Sequence, residues 1–213
     1  MQTPSPRLID REEAVKTLKK FIGKDIRALA EKHGVTVFKN GKLNKGWAGL
    51  VLEHCAGLCN NNLRAPNGGT WELKAVPLKY DRKGVLKVKE TMAITMISAN
   101  DVIEHEFENS HLLLKLRSLI ICGRIFESKE EKSSILYSVG TFDLNDKSLF
   151  EQVKADYEVT RLAIINDGFN TLTGEMGVLV QPRTKGSGHG SKSRAFYARK
   201  DFVKIILGLQ YEK

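Results

Sequence analysis

Residues 70–78 read TWELKAVPL. On an extended strand alternate side chains share a face, so Glu72, Lys74 and Val76 point one way and Trp71, Leu73 and Ala75 the other. Trp71, Leu73 and Ala75 have the character of a core face. Glu72 and Lys74 then stand side by side at the rim of a sheet, behind the tight turn of APNGG at 65–69. Further strand patterns follow at 93–99 (AITMISA), 118–126 (SLIICGRIF) and 134–140 (SILYSVG), which together imply a mixed sheet.

Helical periodicity surrounds these strands. Val15, Leu18, Phe21 and Ile22 share one face of a first helix, and Ile26 and Leu29 mark a short second one ending at Gly34. A third helix is predicted over Gly46 to Leu58, with Trp47, Leu50 and Val51 on its apolar side. Gly46, Gly49, Glu53 and Gly57 fall on another face, so the helix's carboxylate sits in a stripe of very small residues. Ser110 to Arg117 fits either a short helix or a strand lead-in. A long helix spans Leu149 to Ile165, closed by Asn166-Asp167-Gly168; after it come a strand near VLVQPR, a glycine-serine loop, a strand RAFYAR and a terminal helix. The architecture expected is α/β.

The chain has 213 residues, 41% of them hydrophobic, enough to bury the core of one sizeable domain or of two lobes sharing a cleft. Lys and Arg number 34 against 25 Asp and Glu, a formal net charge of +9 that favours a polyanionic partner, with nucleic acid leading. A solvated basic surface would carry the same charge, so spacing has to decide. No apolar run approaches the roughly 20 residues that span a bilayer, and the first ten residues lack a secretory core, so a cytoplasmic, membrane-free protein is expected. Cys55, Cys59 and Cys122 complete no zinc pattern and read as core thiols. His54, His105, His111 and His189 form no ligand-spaced cluster, and His33 before Gly34 reads as helix-end chemistry.

Phosphodiester hydrolysis needs a hard divalent cation held by carboxylate and carbonyl oxygens, with a positive group near the attacking water or the scissile phosphate. Glu-x-Lys supplies both from one strand. Alone the tripeptide is weak, because charges also alternate by chance on exposed strands.

Its context is more specific. KGWAGLVLE at 45–53, TWELKAVPL at 70–78, ENSHLLLKLR at 108–117, VQPRTKG at 180–186 and RAFYARKDF at 194–202 resemble the MutH family of DNA mismatch repair endonucleases. They equally resemble the related type II restriction endonucleases that cut at GATC. The order and spacing agree over nearly the whole chain. The resemblance implies a restriction-endonuclease-like mixed sheet flanked by helices, two lobes forming a DNA cleft, and Mg2+-dependent cleavage of double-stranded DNA at a short target. It implies a single nuclease domain over 1–213, its catalytic lobe roughly 35–140 and its DNA-recognition lobe roughly 1–34 with 141–213.

Position by position, the resemblance implies that Glu53 is the helix glutamate organising the metal site and that Glu72 is the metal-binding strand carboxylate, with the Leu73 backbone carbonyl beside it. Lys74 matches the catalytic lysine and Lys115 a further lysine near the scissile phosphate. Counting back from Glu72 by the family's separation lands on Ala65, where the pattern has a metal-bridging aspartate. An alanine cannot ligate a cation, and no Asp or Glu lies between Glu53 and Glu72. Loss of such a ligand removes about three or more orders of magnitude of rate, roughly 4 kcal/mol. Two explanations stand: a natural pseudo-nuclease that binds without cutting, or an enzyme whose aspartate was replaced.

For recognition, Arg183, Lys185, Lys192, Arg194, Arg199 and Lys200 cluster around the loop TKGSGHGSKS at 184–193. Arginine and lysine suit guanine edges and phosphates, and glycines let the backbone approach a groove. The resemblance implies base contacts by Arg183, Thr184 and Lys185, with Arg194 and Tyr197 also on the target. Thr184 departs from the mismatch-repair branch, which has proline there, and fits the restriction branch, so cleavage of both strands by a homodimer on a symmetric site is expected first. A strand-nicking repair enzyme working with mismatch-repair partners, and a DNA-binding module that does not cut, are the alternatives.

Overall fold

The computed structural model describes residues 9–58, 66–186 and 192–209. In chain order the first elements are α1 (Arg11–Lys19), α2 (Ile26–Lys32), β1 (Phe38–Lys39), β2 (Lys42–Leu43), α3 (Trp47–Cys55), β3 (Glu72–Tyr80), β4 (Leu86–Val88) and β5 (Met92–Met96). Then come α4 (Ala99–Glu104), α5 (His111–Leu116), β6 (Ser118–Ile125), β7 (Leu136–Asp143), α6 (Lys147–Asp167), β8 (Val180–Thr184), β9 (Arg194–Ala198) and α7 (Lys200–Leu207). The class is the mixed α/β, restriction-endonuclease-like one expected. The chain divides into two compact units, Met1–Lys89 with Leu119–Phe142 and Glu90–Ser118 with Asp143–Lys213.

The first unit is built on a four-stranded sheet of order β4-β3-β6-β7. β3 runs parallel to β6, in register from Glu72 opposite Leu119 to Leu78 opposite Ile125, and antiparallel to β4 over Leu78–Tyr80. Leu119, Ile120, Ile121 and Cys122 of β6 are all buried, as a central strand covered on both faces requires. Helices α1, α2 and α3 pack into the same core, where Leu18, Ile26, Trp47 and Leu52 meet Trp71, Leu73, Ile120 and Leu136. Burial pushes the Cys122 thiol up to about 12, and Cys55 upward too, so both are inert core thiols as expected; Cys59 lies outside the described residues.

Local chemistry sets these elements. Asp10 caps α1, its carboxylate accepting the Glu12 and Glu13 amides at 2.8 and 3.2 Å. Asp25 caps α2 and also accepts the Ser134 amide at 2.9 Å, tying that helix to the lead-in of β7. β1 and β2 form a hairpin through Asn40 and Gly41, both at positive φ, which a two-residue turn of the mirror-image type demands. On β6, Arg124 donates to both oxygens of buried Glu131, in the connection to β7, at 2.8 and 2.9 Å and lies 5.1 Å over the Trp47 ring, so two charges taken from water compensate each other.

The second unit holds a three-stranded antiparallel sheet of order β5-β9-β8. Here expectation and structure differ. The strand predicted at 93–99 pairs with β9, not with β3, and the chain turns into α4 at Ala99 behind the Ser98 cap. Period-two apolar spacing makes a strand but does not choose its partner. Helices α1 and α2 pack with α3 in the core of the first unit, and 90–118 joins 143–213 in the second. Ser110–Arg117, open to two readings, contains α5, whose Ser110 cap accepts the Leu113 amide at 3.1 Å.

Helix α6 is anchored at Asp156, only 2% exposed, whose carboxylate accepts the amides of Val178, Leu179 and Val180, each at 2.7 Å. Arg199 holds the same stretch from the other side, donating to the carbonyls of Gly174, Glu175, Met176 and Gly177. That removes Arg199 from the basic cluster that the sequence suggested, because its guanidinium is occupied by main chain. Among the described residues no helix is long and apolar enough to cross a membrane.

Candidate active site

The turn before β3 places the site. The Gly69 amide donates to the Pro66 carbonyl at 2.9 Å, the Gly68 amide donates to the Trp71 carbonyl at 2.9 Å, and Gly69 sits at φ 83°. A Cβ on Gly68 would lie 2.0 Å from Trp71 Cε2, so the turn rests directly on the indole. The indole is itself buried and donates through Nε1 to the Ile9 carbonyl at 2.9 Å. Gly68→Ala is therefore expected to destabilise the protein by about 2 kcal/mol, read as a lower urea midpoint, because a pinned ring has to move. An unchanged midpoint would show that the turn is not fixed by this contact.

This turn aims Asn67 at two acids. Its backbone amide donates to Glu72 Oε2 at 3.0 Å, and its side-chain Nδ2 donates to Glu53 Oε1 at 2.8 Å. Lys74 Nζ meets Glu72 Oε1 at 2.8 Å. Glu72 is 5% exposed, buried rather than at an open rim, and its charge is compensated by these donors. Glu53 is half-buried on α3, which packs on β3. Beside it, a Cβ on Gly49 would meet no described atom within 4 Å and one on Gly46 only Asn44 Oδ1 at 3.6 Å, so that face of the helix is open as the spacing suggested. Gly57 does not belong to that face: at φ 81°, next to Ile9, it ends the helix.

The sequence-predicted residues Glu53, Glu72 and Lys74 are thus brought together in the first unit. Leu73 lies between them on β3. Lys115 stands half-buried on α5 in the second unit. Ala65 lies outside the described residues. Among the described residues no three of His, Cys, Asp and Glu converge as a metal-binding group. Asn67 is legible in the sequence only as an amide side chain inside the tight turn before β3; its spacing says nothing of the two acids it meets.

In the second unit Arg183 and Thr184 are exposed at the end of β8, opposite Ala195 and Arg194 of β9. Arg183 lies 5.8 Å from the centre of the Tyr197 ring and donates to Thr91 Oγ1 at 3.1 Å. Burial pushes the Tyr197 hydroxyl above its ordinary range, with Arg183 opposing and Glu90 adding, so it is a neutral donor at physiological pH. The Lys185 amide donates to the Ser193 carbonyl at 2.9 Å and closes the base of the loop, whose residues 187–191, His189 included, are outside the described set. His33 ends α2 as expected, and its ring stacks on His54 at 5.5 Å.

Comparison with known proteins agrees with this geometry. The family model described as DNA mismatch repair enzyme MutH matches residues 65–154, a span that includes Glu72, Lys74 and Lys115. A DNA mismatch repair protein MutH from Shewanella woodyi is 28% identical over an alignment of 231 residues, covering 97% of this chain and 94% of the relative. The strand acid, its lysine partner and the helix glutamate thus stand in one place in a chain that is similar to the MutH family over residues 65–154 and to a MutH protein along nearly its whole length.

Proposed function

We propose that the chain is a sequence-specific DNA endonuclease that hydrolyses phosphodiester bonds with Mg2+. The observation that carries this reading is the joined set of Glu53, Asn67, Glu72 and Lys74, two acids and a lysine held in register by one turn. The donor set fits the ion: carboxylate, amide and carbonyl oxygens are the hard ligands that Mg2+ takes. Glu53, Glu72 and the Leu73 carbonyl would hold it, and when bound it supplies Lewis-acid polarisation of the phosphate and a lowered pKa for water.

The protein's own groups do the rest. Glu72 keeps Lys74 at 2.8 Å, so its ammonium is held in one place to meet the negative charge that a pentacoordinate phosphorus would gain, without reorganising during reaction. Lys115, on α5 of the second unit, is the further lysine that the family likeness assigns to the reaction. Arg183, Thr184 and Lys185, with Arg194 and Tyr197, read bases and backbone, which the exposed end of β8 and the Arg183–Tyr197 contact support.

Thr184 favours the restriction reading, in which two chains on a symmetric site cut both strands. The likeness to a mismatch repair protein over 97% of the chain favours the second reading, single-strand nicking. Supercoiled plasmid in Mg2+, compared for this chain and Ala65→Asp, separates them: linear product means double-strand cutting, nicked product means repair-type nicking. Binding without any product from either protein in Mg2+ or Mn2+ overturns the endonuclease reading in favour of a non-cutting binding module.

A further inference from the structure

We infer that the hairpin of β3 and β4 is a second DNA-contacting element, which holds the phosphates of duplex flanking the target with Lys79, Arg82 and Lys83. The inference rests on the DNA-endonuclease reading above and adds a contact on the first unit to the one proposed for β8 and β9 on the second. Pairing of β3 with β6 ends at Leu78 opposite Ile125, whereas its pairing with β4 continues through Lys79 and Tyr80. The end of β3 therefore leaves the sheet as a two-stranded ribbon, a shape that a DNA groove admits.

The turn at the tip of this ribbon is held by four hydrogen bonds. The Asp81 carboxylate accepts the amides of Lys83 and Val85 at 2.9 and 3.0 Å, and the Asp81 amide donates to the Val85 carbonyl at 2.9 Å. Gly84, at φ 77°, donates its amide to the Asp81 carbonyl at 3.0 Å. The other carboxylate oxygen of Asp81 meets Lys87 at 2.7 Å, so the one acid within residues 79–89 is engaged inside the ribbon. Arg82 and Lys83 stand exposed at the tip and Lys79 on the shaft, and none of the three has an ion-pair partner among the described residues.

Lysines on an edge strand guard against edge-to-edge pairing, and that accounts for cations on β4. It does not account for these three, because Lys79 is on β3 and Arg82 and Lys83 are in the turn. Nor does it account for Tyr80 and Val85 beside them, 55% and 40% exposed, since an edge guarded against association would not present apolar surface. Cations around an exposed tyrosine match a sugar–phosphate backbone, with ammonium and guanidinium for the phosphates and the hydroxyl as a further donor. From Glu72 to Tyr80 a strand rises about 26 Å, a separation of roughly eight base pairs along a duplex and so outside a short target.

The test is fluorescence anisotropy of duplex binding by the full chain in Ca2+ over a series of salt concentrations. Two duplexes share a central GATC, one of about 40 base pairs and one of about 10, the longer alone reaching past the separation estimated above. The ribbon variant is Lys79→Gln/Arg82→Gln/Lys83→Gln. The control is Lys16→Gln/Lys19→Gln/Lys20→Gln, which removes the same charge from the exposed side of α1 and the residue that follows it. On the long duplex the ribbon variant is expected to bind about tenfold or more weakly, with a slope of log affinity against log salt shallower by about two to three. On the short duplex it should bind within about twofold of the parent, and the control within about threefold on both. An unchanged slope on the long duplex overturns the inference, and so does an equal loss in the control, which would make the effect one of net charge. An equal loss on both duplexes overturns the flanking contact. Loss of binding to phosphatidylglycerol vesicles with DNA binding intact overturns it in favour of a membrane surface. If the ribbon variant unfolds at lower temperature, Arg82→Gln/Lys83→Gln decides: a slope shallower by about one to two upholds the contact and an unchanged slope removes it. If the parent binds neither duplex, the DNA reading itself falls; parental binding with an unaltered slope in the variants removes this inference alone.

Discussion

Introduced into the Ala65→Asp variant, Glu72→Gln is expected to lower the single-turnover rate of plasmid cleavage about a thousandfold, roughly 4 kcal/mol of barrier. The substitution keeps the size of the side chain but removes the buried negative charge. The Lys74 ammonium loses the partner that fixes it at 2.8 Å, and Asn67 loses the charged acceptor for its amide at 3.0 Å. A cation at this corner loses one of two carboxylates. Because the oxygen and the volume of the side chain are retained, the turn and the core around Trp71 should stand, so the loss should appear in the rate with the unfolding midpoint little changed. DNA affinity measured in Ca2+ or EDTA should fall by far less than the rate, since the proposed base-contacting residues belong to β8, β9 and the loop after β8. A variant that cuts within about threefold of the parent would place the chemistry elsewhere, because no group that binds the ion or the transition state would contribute so little.

Asp156→Ala carries the largest expected loss of stability, about 4 kcal/mol. Three backbone amides at 2.7 Å converge on this buried carboxylate, and Gln152 Nε2 adds a fourth donor at 3.0 Å. Removing the acceptor leaves buried N–H groups unsatisfied, each costing about 1–3 kcal/mol, and charge-assisted bonds stand at the upper end of that range. Collapse of the loop cannot repair it cheaply: a Cβ at Gly177 would lie 1.9 Å from the Val180 carbonyl oxygen, so the turn has one conformation. For a chain of this length the loss lowers the melting temperature by about 10 °C. Hydrogen exchange at Val178, Leu179 and Val180 should accelerate before that of β6, which locates the damage. Because Val180 opens β8, the DNA binding proposed for Arg183 and Thr184 should weaken at temperatures where the fold persists. Asp156→Asn discriminates charge from shape: it retains one acceptor oxygen but turns an NH2 toward amides, and should lose nearly as much. A loss below about 1 kcal/mol for both variants would mean that the amides find water instead.

The local elements were legible because the chemistry that builds them is local. Alternation in TWELKAVPL, the uniformly apolar LIIC of β6, and the Asn-Asp-Gly stop after α6 each act over a few residues. Glu53, Glu72 and Lys74 were nominated by type, spacing and family likeness, and the fold brings them together. The hairpin of β1 and β2, the short β4 and helix α4 went unread, because two to six residues carry too little periodicity to stand out. β5 was read as a strand but given the wrong company, since pairing is a matter of long-range packing. Arg199 was read by its charge, and its role came from four carbonyls that no spacing rule connects to it.

What the sequence determined by itself was the kind of protein and its cast: a basic α/β chain with a Glu-x-Lys strand, a helix glutamate and a basic segment around a glycine-serine stretch, all properties of residue type and short spacing. What only the tertiary structure decided was which groups meet. The two-unit division, the burial of Glu72, the nest of amides on Asp156 and the placing of Asn67 between two acids all depend on chain segments that approach one another through core packing. That packing, around Trp47 and Trp71 in the first unit, is collective, and it turns a glycine pair and an asparagine in a turn into the fixed corner of a site.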